Sequence, residues 1–241
     1  MSHSVTVDSG EYVPRGDLMA WVVCLSAGLF FLYEFFQLNI FDVINQSLRD
    51  EFQLNAAQLS WMSSTYLWAN IAFLLPAGLI LDRYSTRVVI LIAMVICVTG
   101  TVGFALTNSF VLACIFHAFA GIGNAFCFLS CVVLVTHWFP SSRQALVIGS
   151  VVTMAFIGGM IAHTPFAYLN DLFGWRRALM IDGLVGILLI VWIYCIVQDR
   201  PMGAPEPEHS KQDKVLVHFK SALSNPQNWL AGLFTSFLNL P

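Results

Sequence analysis

Six long apolar runs, separated by short polar segments, are the feature that most limits what this chain can fold into. A helix needs about 20 apolar residues to cross about 30 Å of hydrocarbon, and each run has roughly that length. Because hydrocarbon offers no water to the backbone, each run must satisfy its own peptide groups as a helix. The six predicted spans are 18–41, 59–81, 88–106, 110–135, 145–169 and 178–197.

The composition is typical of a chain that resides in a membrane. Hydrophobic residues make up 58% of the 241 residues and charged residues only 10%, whereas about a quarter of an ordinary soluble domain is charged. The net charge is -3 and the Lys and Arg residues are scattered, so the chain has no basic patch for phosphate contacts. The sequence therefore predicts an integral, multi-pass membrane protein in contact with lipids, and it excludes a nucleic-acid partner.

The apolar runs divide the chain into four predicted regions. A seventh run begins near Asn228 and stops at Pro241 after about half the length of a span, so we expect a chain shortened relative to a longer parent. The predicted regions are an N-terminal segment (1–17), a six-helix bundle (18–197), a polar linker (198–227) and a truncated seventh helix (228–241).

The linker contains one short stretch with helical periodicity. Val215, Leu216, Phe219 and Leu223 recur at helical spacing between charged residues. Two interpretations remain open for this stretch, an amphipathic helix on the membrane surface and a loop helix without membrane contact.

The distribution of Lys and Arg predicts the orientation, because positive residues resist translocation. With the N-terminus in the cytoplasm, eight basic residues lie inside and three outside. The inner residues are Arg15, Arg83, Arg87, Arg143, Arg200, Lys211, Lys214 and Lys220, and the outer ones are Arg49, Arg176 and Arg177. We therefore expect a cytoplasmic N-terminus and linker, in an inner or plasma membrane.

The turn after the second span contains a motif with a Gly, an Asp-Arg pair and a later basic residue. These residues are Gly78, Asp82, Arg83 and Arg87. Gly78 permits a close approach between helices, and the carboxylate and the guanidiniums can pair locally or bind a neighbouring helix end. The motif resembles the loop between the second and third helices of the major facilitator superfamily, although Ser85 stands where that family usually has a second Gly. The alternative interpretation is an ordinary positively charged turn.

Two further stretches carry the same resemblance. The fourth span contains His117, Gly121 and Gly123, which is similar to the family's Arg-x-x-x-Gly-x-Gly pattern with His in place of Arg. Since His titrates near neutral pH and Arg does not, a permanent positive charge is not implied here. The segments 138–143 and 173–176 also resemble loops of superfamily carriers. The resemblance extends over nearly the whole chain and matches the N-terminal half of a carrier.

The resemblance implies the fold and a function in transport. The implied fold is an all-α integral membrane protein, a six-helix transmembrane bundle built as a 3+3 inverted repeat. The implied function is secondary active transport of a small polar solute by alternating access, with protons as the coupling ion in a symport. Its implied partners are the solute, protons, membrane lipids and a second carrier half on the same or a separate chain. The alternative is a truncated or half-carrier fragment without transport activity of its own.

A membrane enzyme is the alternative from a different class of protein. The sequence has no nucleophile beside a base, no clustered metal ligands and no phosphate-binding glycine loop. We therefore expect no enzymatic activity, no cofactor and no metal site.

The sequence predicts that Glu34 is the only acidic residue deep within a span. A charged carboxylate at that depth costs at least a few kcal/mol unless it is paired, protonated or hydrated. Gln37 shares its helix face. Glu34 lies about 24 Å along the first span and His117 about 10 Å along the fourth, which runs in the opposite direction. Their depths are therefore similar, and the two residues are predicted to form a titratable pair. The alternative is a structural hydrogen bond that fixes helix packing.

Two asparagines lie nearer the middle of the membrane. Asn70 is in the second span and Asn124 in the fourth. Each side chain can bind a solute or form a hydrogen bond between helices. With Glu34, Gln37 and His117 they complete the predicted substrate or proton path.

Overall fold

The computed structural model describes residues 17–200 and, further along the chain, Pro226, Gln227, Leu230 and Leu233. The chain divides into two compact units, Met1–Ala204 and Pro205–Pro241. In the second unit the four described residues are helical. Most of the predicted N-terminal segment (1–17), linker (198–227) and seventh helix (228–241) lies outside the described residues.

The described part of the first unit consists of helices joined by short loops, without a β-strand between residues 17 and 200. Six of its helices are long and apolar enough to cross a membrane when Ser141–Phe173 is taken as one helix with an internal π-helical turn. The prediction of an all-α, six-helix membrane protein is confirmed. The elements are α1 (Asp17–Phe52), α2 (Ala56–Leu81), α3 (Thr86–Leu106), α4 (Phe110–Trp138), α5 (Ser141–Ile161), a π-helical turn (Ala162–Phe166), α6 (Ala167–Phe173) and α7 (Trp175–Ile196).

The first helix is much longer than its predicted span. The apolar run ends before Asp42, but α1 continues to Phe52. Ile44 and Leu48 lie on one face of this extension, and both are almost completely buried in the bundle. Tertiary packing therefore continues the helix beyond the point where hydropathy alone ends it.

The fifth span contains a local widening of the helix. Pro165 has no backbone N–H to donate, and the five residues around it form the π-helical turn. The chain then returns to α-helical geometry in α6. The widened turn keeps the segment helical across the membrane despite the proline.

Glycines bring two pairs of helices into close contact. A Cβ atom at Gly121 of α4 would overlap the carbonyl oxygen of Tyr66 on α2, and one at Gly158 of α5 would overlap the carbonyl oxygen of Leu32 on α1. The absence of a side chain lets the backbones approach, as is common between membrane helices. If the first three spans are superposed on the last three, α1 corresponds to α4 and α2 to α5. The close pair α1–α5 then corresponds to the close pair α4–α2. This pairing is the one expected of a 3+3 repeat.

Arg176 joins three segments at the end of the bundle that carries Glu51, here named the Glu51 end. Its Nε and Nη2 atoms donate to Glu51 Oε1 at 2.9 and 2.7 Å. Its Nη1 atom donates to the carbonyl oxygens of Ala105 and Thr107 at 2.6 and 2.8 Å. Trp175 Nε1 donates to the other oxygen of Glu51 at 2.5 Å. The end of α1, the α3–α4 loop and the start of α7 are thereby held together.

Replacing Arg176 with alanine should destabilise the bundle by about 2 kcal/mol, because the variant leaves two loop carbonyls and a carboxylate without their charged donor. The measurement is thermal unfolding of the purified chain in detergent. Arg177→Ala is the matched control, since Arg177 is the exposed neighbour on the same helix. Equal unfolding temperatures for the two variants would contradict the role assigned to Arg176.

Candidate functional site

Glu34 lies in the interior of the bundle with 0% of its surface exposed. A Cβ atom at Gly123 of α4 would lie 2.5 Å from Glu34 Oε1 and 2.8 Å from the Cβ of Cys97 on α3. The carboxyl group therefore packs against the backbone of α4, beside α3. The Cys97 thiol interacts with the carboxyl, but a thiol is a weak donor. Neither carboxyl oxygen has a properly formed hydrogen bond within the described part of the chain.

Asp182 is a second interior carboxyl, which sequence reasoning missed. It lies on α7 and is only 5% exposed. Gln37 Nε2 donates to Asp182 Oδ2 at 2.6 Å, and the Tyr33 hydroxyl lies 3.5 Å from the Asp182 carbonyl oxygen. The prediction that Glu34 is the only acidic residue deep within a span is therefore wrong.

The cause of this error is the position of Asp182 within its apolar run. It is the fifth residue of the predicted span 178–197, where a carboxylate is expected to reach the interface. However, α7 begins at Trp175, so Asp182 lies about 10 Å along the helix. The signal in the sequence was an acidic residue with apolar residues or Gly on both sides and no Lys or Arg within one turn on its C-terminal side.

His117 lies among aromatic rings on α4. Its ring centroid is 4.9 Å from that of Phe41, 5.3 Å from that of Tyr66 and 5.5 Å from that of Phe104. Tyr66 also directs its hydroxyl to the Glu34 carbonyl oxygen at 3.4 Å. The structure therefore links the two predicted partners through Tyr66, and no direct hydrogen bond joins Glu34 to His117 among the residues it describes.

A small cavity of about 20 Å³ lies between α1, α3, α4 and α7. Its polar lining residues are Gln37, Thr101 and His117, and the remaining walls are mostly apolar. A cavity of this size with polar partners holds one water molecule. Gln37 therefore faces both Asp182 and the cavity that His117 lines.

The two asparagines of the predicted path, Asn70 and Asn124, lie close along their helices to residues that contact Glu34. Asn124 follows Gly123, against which Glu34 packs, and its backbone and side-chain oxygens accept from Cys127 Sγ at 3.0 and 3.2 Å. Asn70 lies one turn beyond Tyr66 on α2. Both asparagines are half-buried.

At the opposite end of the bundle, named the Asp82 end, the start of α3 binds a carboxylate. Arg87 N donates to Asp199 Oδ1 at 2.7 Å, and the Ser85 hydroxyl donates to Asp199 Oδ2. The Arg87 guanidinium donates to the Tyr194 carbonyl oxygen and lies 5.0 Å from the centre of the Tyr194 ring. A carboxylate at a helix N-terminus is electrostatically favourable. These contacts hold the end of α7 against α3.

The other residues of the turn motif make fewer contacts. Asp82 is the C-terminal cap of α2, and the side chains of Asp82 and Arg83 are exposed. Gly78 leaves room for a close helix approach, but among the described residues no atom lies within 4 Å of the position that its Cβ would take. The neighbouring helices pack on other faces of α2, notably at Tyr66, and leave the surroundings of Gly78 open. Within the described residues, no group of three or more His, Cys, Asp or Glu side chains is arranged to hold a metal ion.

Comparison with known proteins identifies a family whose sequence pattern this chain matches. A family model described as Major Facilitator Superfamily matches residues 23–240. The uncharacterized transporter YybO of Bacillus subtilis is 26% identical over 195 residues, which cover 80% of this chain and 45% of that protein. The hexuronate transporter of the same organism is 24% identical over 154 residues, which cover 64% of this chain and 36% of that protein. The chain thus spans less than half the length of these relatives.

Solved structures show the same fold. A bacterial homologue of the human lysosomal transporter Spinster, in an inward-facing and unoccupied conformation, matches with a TM-score of 0.72 and 20% identity. The match covers 88% of this chain and 51% of that one. The proton:xylose symporter XylE matches with a TM-score of 0.67 and 15% identity, over 74% of this chain and 45% of that one.

Substituting Gly123 with alanine should lower the unfolding temperature, because the new methyl group meets the Glu34 carboxyl and the α3 backbone together. Overpacking of this kind costs about 1–3 kcal/mol. Gly149→Ala is the matched control, because a Cβ atom there meets nothing within 4 Å and alanine favours the helix. Thermal unfolding in detergent compares them, and a Gly123→Ala variant as stable as the control would refute the tight packing around Glu34.

Proposed function

Since the chain belongs to the Major Facilitator Superfamily, we propose that it forms a six-helix half of a carrier that moves a small polar solute by alternating access, coupled to protons in a symport. The observation that carries the proposal is the fully buried Glu34, whose carboxyl oxygens have no hydrogen-bond partner within the described part of the chain. An unpaired carboxyl in a membrane bundle is costly when charged and much less so when protonated. Proton binding is therefore the chemistry that this position favours.

The names of the relatives support a small polar solute. One curated relative is a hexuronate transporter, another is a probable galactarate/D-glucarate transporter, and a third is a D-galactonate transporter. The XylE neighbour is a proton:xylose symporter. Sugars and sugar acids are therefore the solutes to test first on this chain.

The proposed path follows the interior polar residues of α1, α2 and α4. It contains Glu34, Gln37, Asn70, His117 and Asn124, which line or adjoin the same part of the bundle. Protonated Glu34 is cheaper to carry through a closed intermediate, and ionised Glu34 favours a state open to water. This difference in stability is what coupling between proton and solute requires.

The second candidate is a truncated or half-carrier fragment that has no transport activity of its own and that assembles with a second six-helix half. The chain spans about half or less of the carriers that it matches, and alternating access moves one half against the other. The distribution of Lys and Arg supports a cytoplasmic N-terminus for this half. Uptake by the chain alone, compared with uptake after co-expression of a second half, separates the two candidates.

The exposed part of the turn motif is proposed to contact another part of the carrier in one transport state. Asp82 and Arg83 are exposed at the Asp82 end, whereas the Arg87 guanidinium donates to the Tyr194 carbonyl oxygen on α7. We therefore propose that the motif of Gly78, Asp82, Arg83 and Arg87 acts in conformational gating. Asp82 and Arg83 form its exposed part, and Arg87 also fixes the start of α3 to Tyr194.

Glu34→Gln should retain solute exchange but lose accumulation driven by a pH gradient, because the amide mimics the neutral acid and cannot release a proton. The assay is uptake of a panel of sugars and sugar acids into proteoliposomes that contain the complete carrier, with and without an imposed pH gradient. Asp42→Asn, an exposed position on the same helix, should behave as the wild type. If Glu34→Gln still concentrates solute in response to the gradient, Glu34 is not the coupling site.

Asp82→Asn should slow uptake about tenfold, the effect of about 1.4 kcal/mol on a switching barrier, without lowering the unfolding temperature. Arg87→Ala should lower the unfolding temperature, since it breaks the contact with Tyr194. Uptake rate and thermal unfolding are measured on both variants, with Asp171→Asn, at an exposed position on α6, as the control. Wild-type uptake by a well-inserted Asp82→Asn carrier would argue against gating.

A further inference from the structure

Asp182 belongs to a polar connection that crosses the interior from α7 to α4. Its carboxylate accepts a 2.6 Å hydrogen bond from Gln37. Gln37 also lines the cavity of about 20 Å³, whose other polar walls are Thr101 and His117. A cavity of this volume has room for one water molecule, which would complete a chain of polar groups from Asp182 to His117. The other walls of the cavity are mostly apolar. Within the described interior, these polar groups therefore form the polar route between α7 and α4.

Asp182 and Glu34 share the interior, and no positively charged side chain within residues 17–200 is paired with either of them. The described ion pair of the bundle, between Arg176 and Glu51, lies at the Glu51 end and involves neither carboxyl. Gln37 lies one turn after Glu34 on α1 and donates to Asp182, so the two acids are neighbours in the interior. Two carboxylates that share an apolar interior repel each other and are each costly to ionise, so a site of this kind holds at least one proton.

The titratable groups that face these carboxyls come from every helix packed around them. Tyr33 on α1 lies against Asp182, and Cys97 on α3 interacts with both carboxyls. Tyr66 on α2 and Cys127 on α4 interact with Glu34. The titratable side chains of α6, Tyr168 and Asp171, are exposed. Each of these facing groups on α1 to α4 is neutral in its ordinary protonation state at pH 7, so none of them supplies the missing positive charge.

We propose that Asp182 and Glu34 form one proton-binding unit, connected to His117 through Gln37 and a single water molecule. Gln37 is the positioning residue of this unit, because its amide contacts both the Asp182 carboxyl and the cavity. Protonation of either carboxyl removes the repulsion felt by the other, so the two titrate as a pair. The inference deepens the proposed proton coupling and rests on it, since it assigns a second acid to the same step.

The unit differs from a purely structural hydrogen bond in a property that can be measured. A structural Asp182 would stay in one protonation state across the working pH range, and its replacement would leave Glu34 unaffected. In a coupled unit, each carboxyl affects the titration of the other. Through its hydrogen bond, Gln37 would change the pH at which Asp182 titrates, although the Gln37 amide does not itself bind or release a proton.

The test is infrared difference spectroscopy of the full chain in lipid nanodiscs, in which the bands of protonated carboxyl groups are followed through a pH titration. We expect two buried carboxyl bands in the wild type. Asp182→Asn should remove one band and move the titration midpoint of the other by about one pH unit. Gln37→Leu should shift the frequency and midpoint of the Asp182 band. Asp42→Asn, an exposed acid on α1, should change neither band.

Three results would overturn the inference. The first is a wild-type chain without a buried carboxyl band from Asp182. The second is an Asp182→Asn variant whose remaining carboxyl band titrates as in the wild type. The third is an Asp42→Asn variant that shifts the bands as much as Asp182→Asn does. Thermal unfolding identifies variants that have lost the fold, and Gln37→Leu then provides the test without altering either acid. These infrared bands are measured without transport, so the two proposals fail on different results. Solute accumulation by the Glu34→Gln carrier would contradict the proposed function alone. A missing Asp182 band would contradict only this inference.

Discussion

The cost of placing a polar group in an apolar interior is the constraint on which the rest of this structure depends. Backbone groups meet it by forming helices, which is why the chain between residues 17 and 200 is helical. Side chains meet it by finding partners on neighbouring helices. Gln37 and Asp182 do so with one short hydrogen bond between α1 and α7. Glu34 packs against Gly123 instead, and within the described part of the chain its carboxyl oxygens have no hydrogen-bond partner. Ionisable residues that lack a partner inside a membrane protein usually have a function.

The two ends of the bundle are fixed by different chemistry. At the Glu51 end, the Arg176 guanidinium gathers a carboxylate and two loop carbonyls around its planar donors, a geometry that Lys cannot reproduce. At the Asp82 end, the N-terminus of α3 binds the Asp199 carboxylate. These contacts join α1 and α7 to the end of α3 at the Glu51 end, and they join the end of α7 to the start of α3 at the Asp82 end. They favour movement of the bundle as a unit, which is the kind of motion that alternating access by rocking requires.

The turn motif is divided by the structure into two parts with different surroundings. Ser85 and Arg87 contact the end of α7, so they contribute to the bundle itself. Asp82 and Arg83 are exposed beside them. Because one short turn carries both parts, a change in what Asp82 contacts would be transmitted to the helix ends that Arg87 holds. The proximity of these residues along the chain gives the proposed gate a physical connection to the bundle.

The sequence by itself determined the number and type of the helices, because the length of an apolar run and the need to satisfy the backbone are local properties. It also identified Glu34, Gln37 and His117 as interior polar residues, since their position in a run sets their depth. Only the tertiary structure decided which of them meet. It extended α1 to Phe52 through the buried Ile44 and Leu48, left Gly78 without a close neighbour, and placed Tyr66 between His117 and the backbone of Glu34. It also showed Asp182 to be an interior acid. These features depend on which helix faces which, and helix pairing is set by contacts between residues far apart in sequence, where hydropathy carries no information.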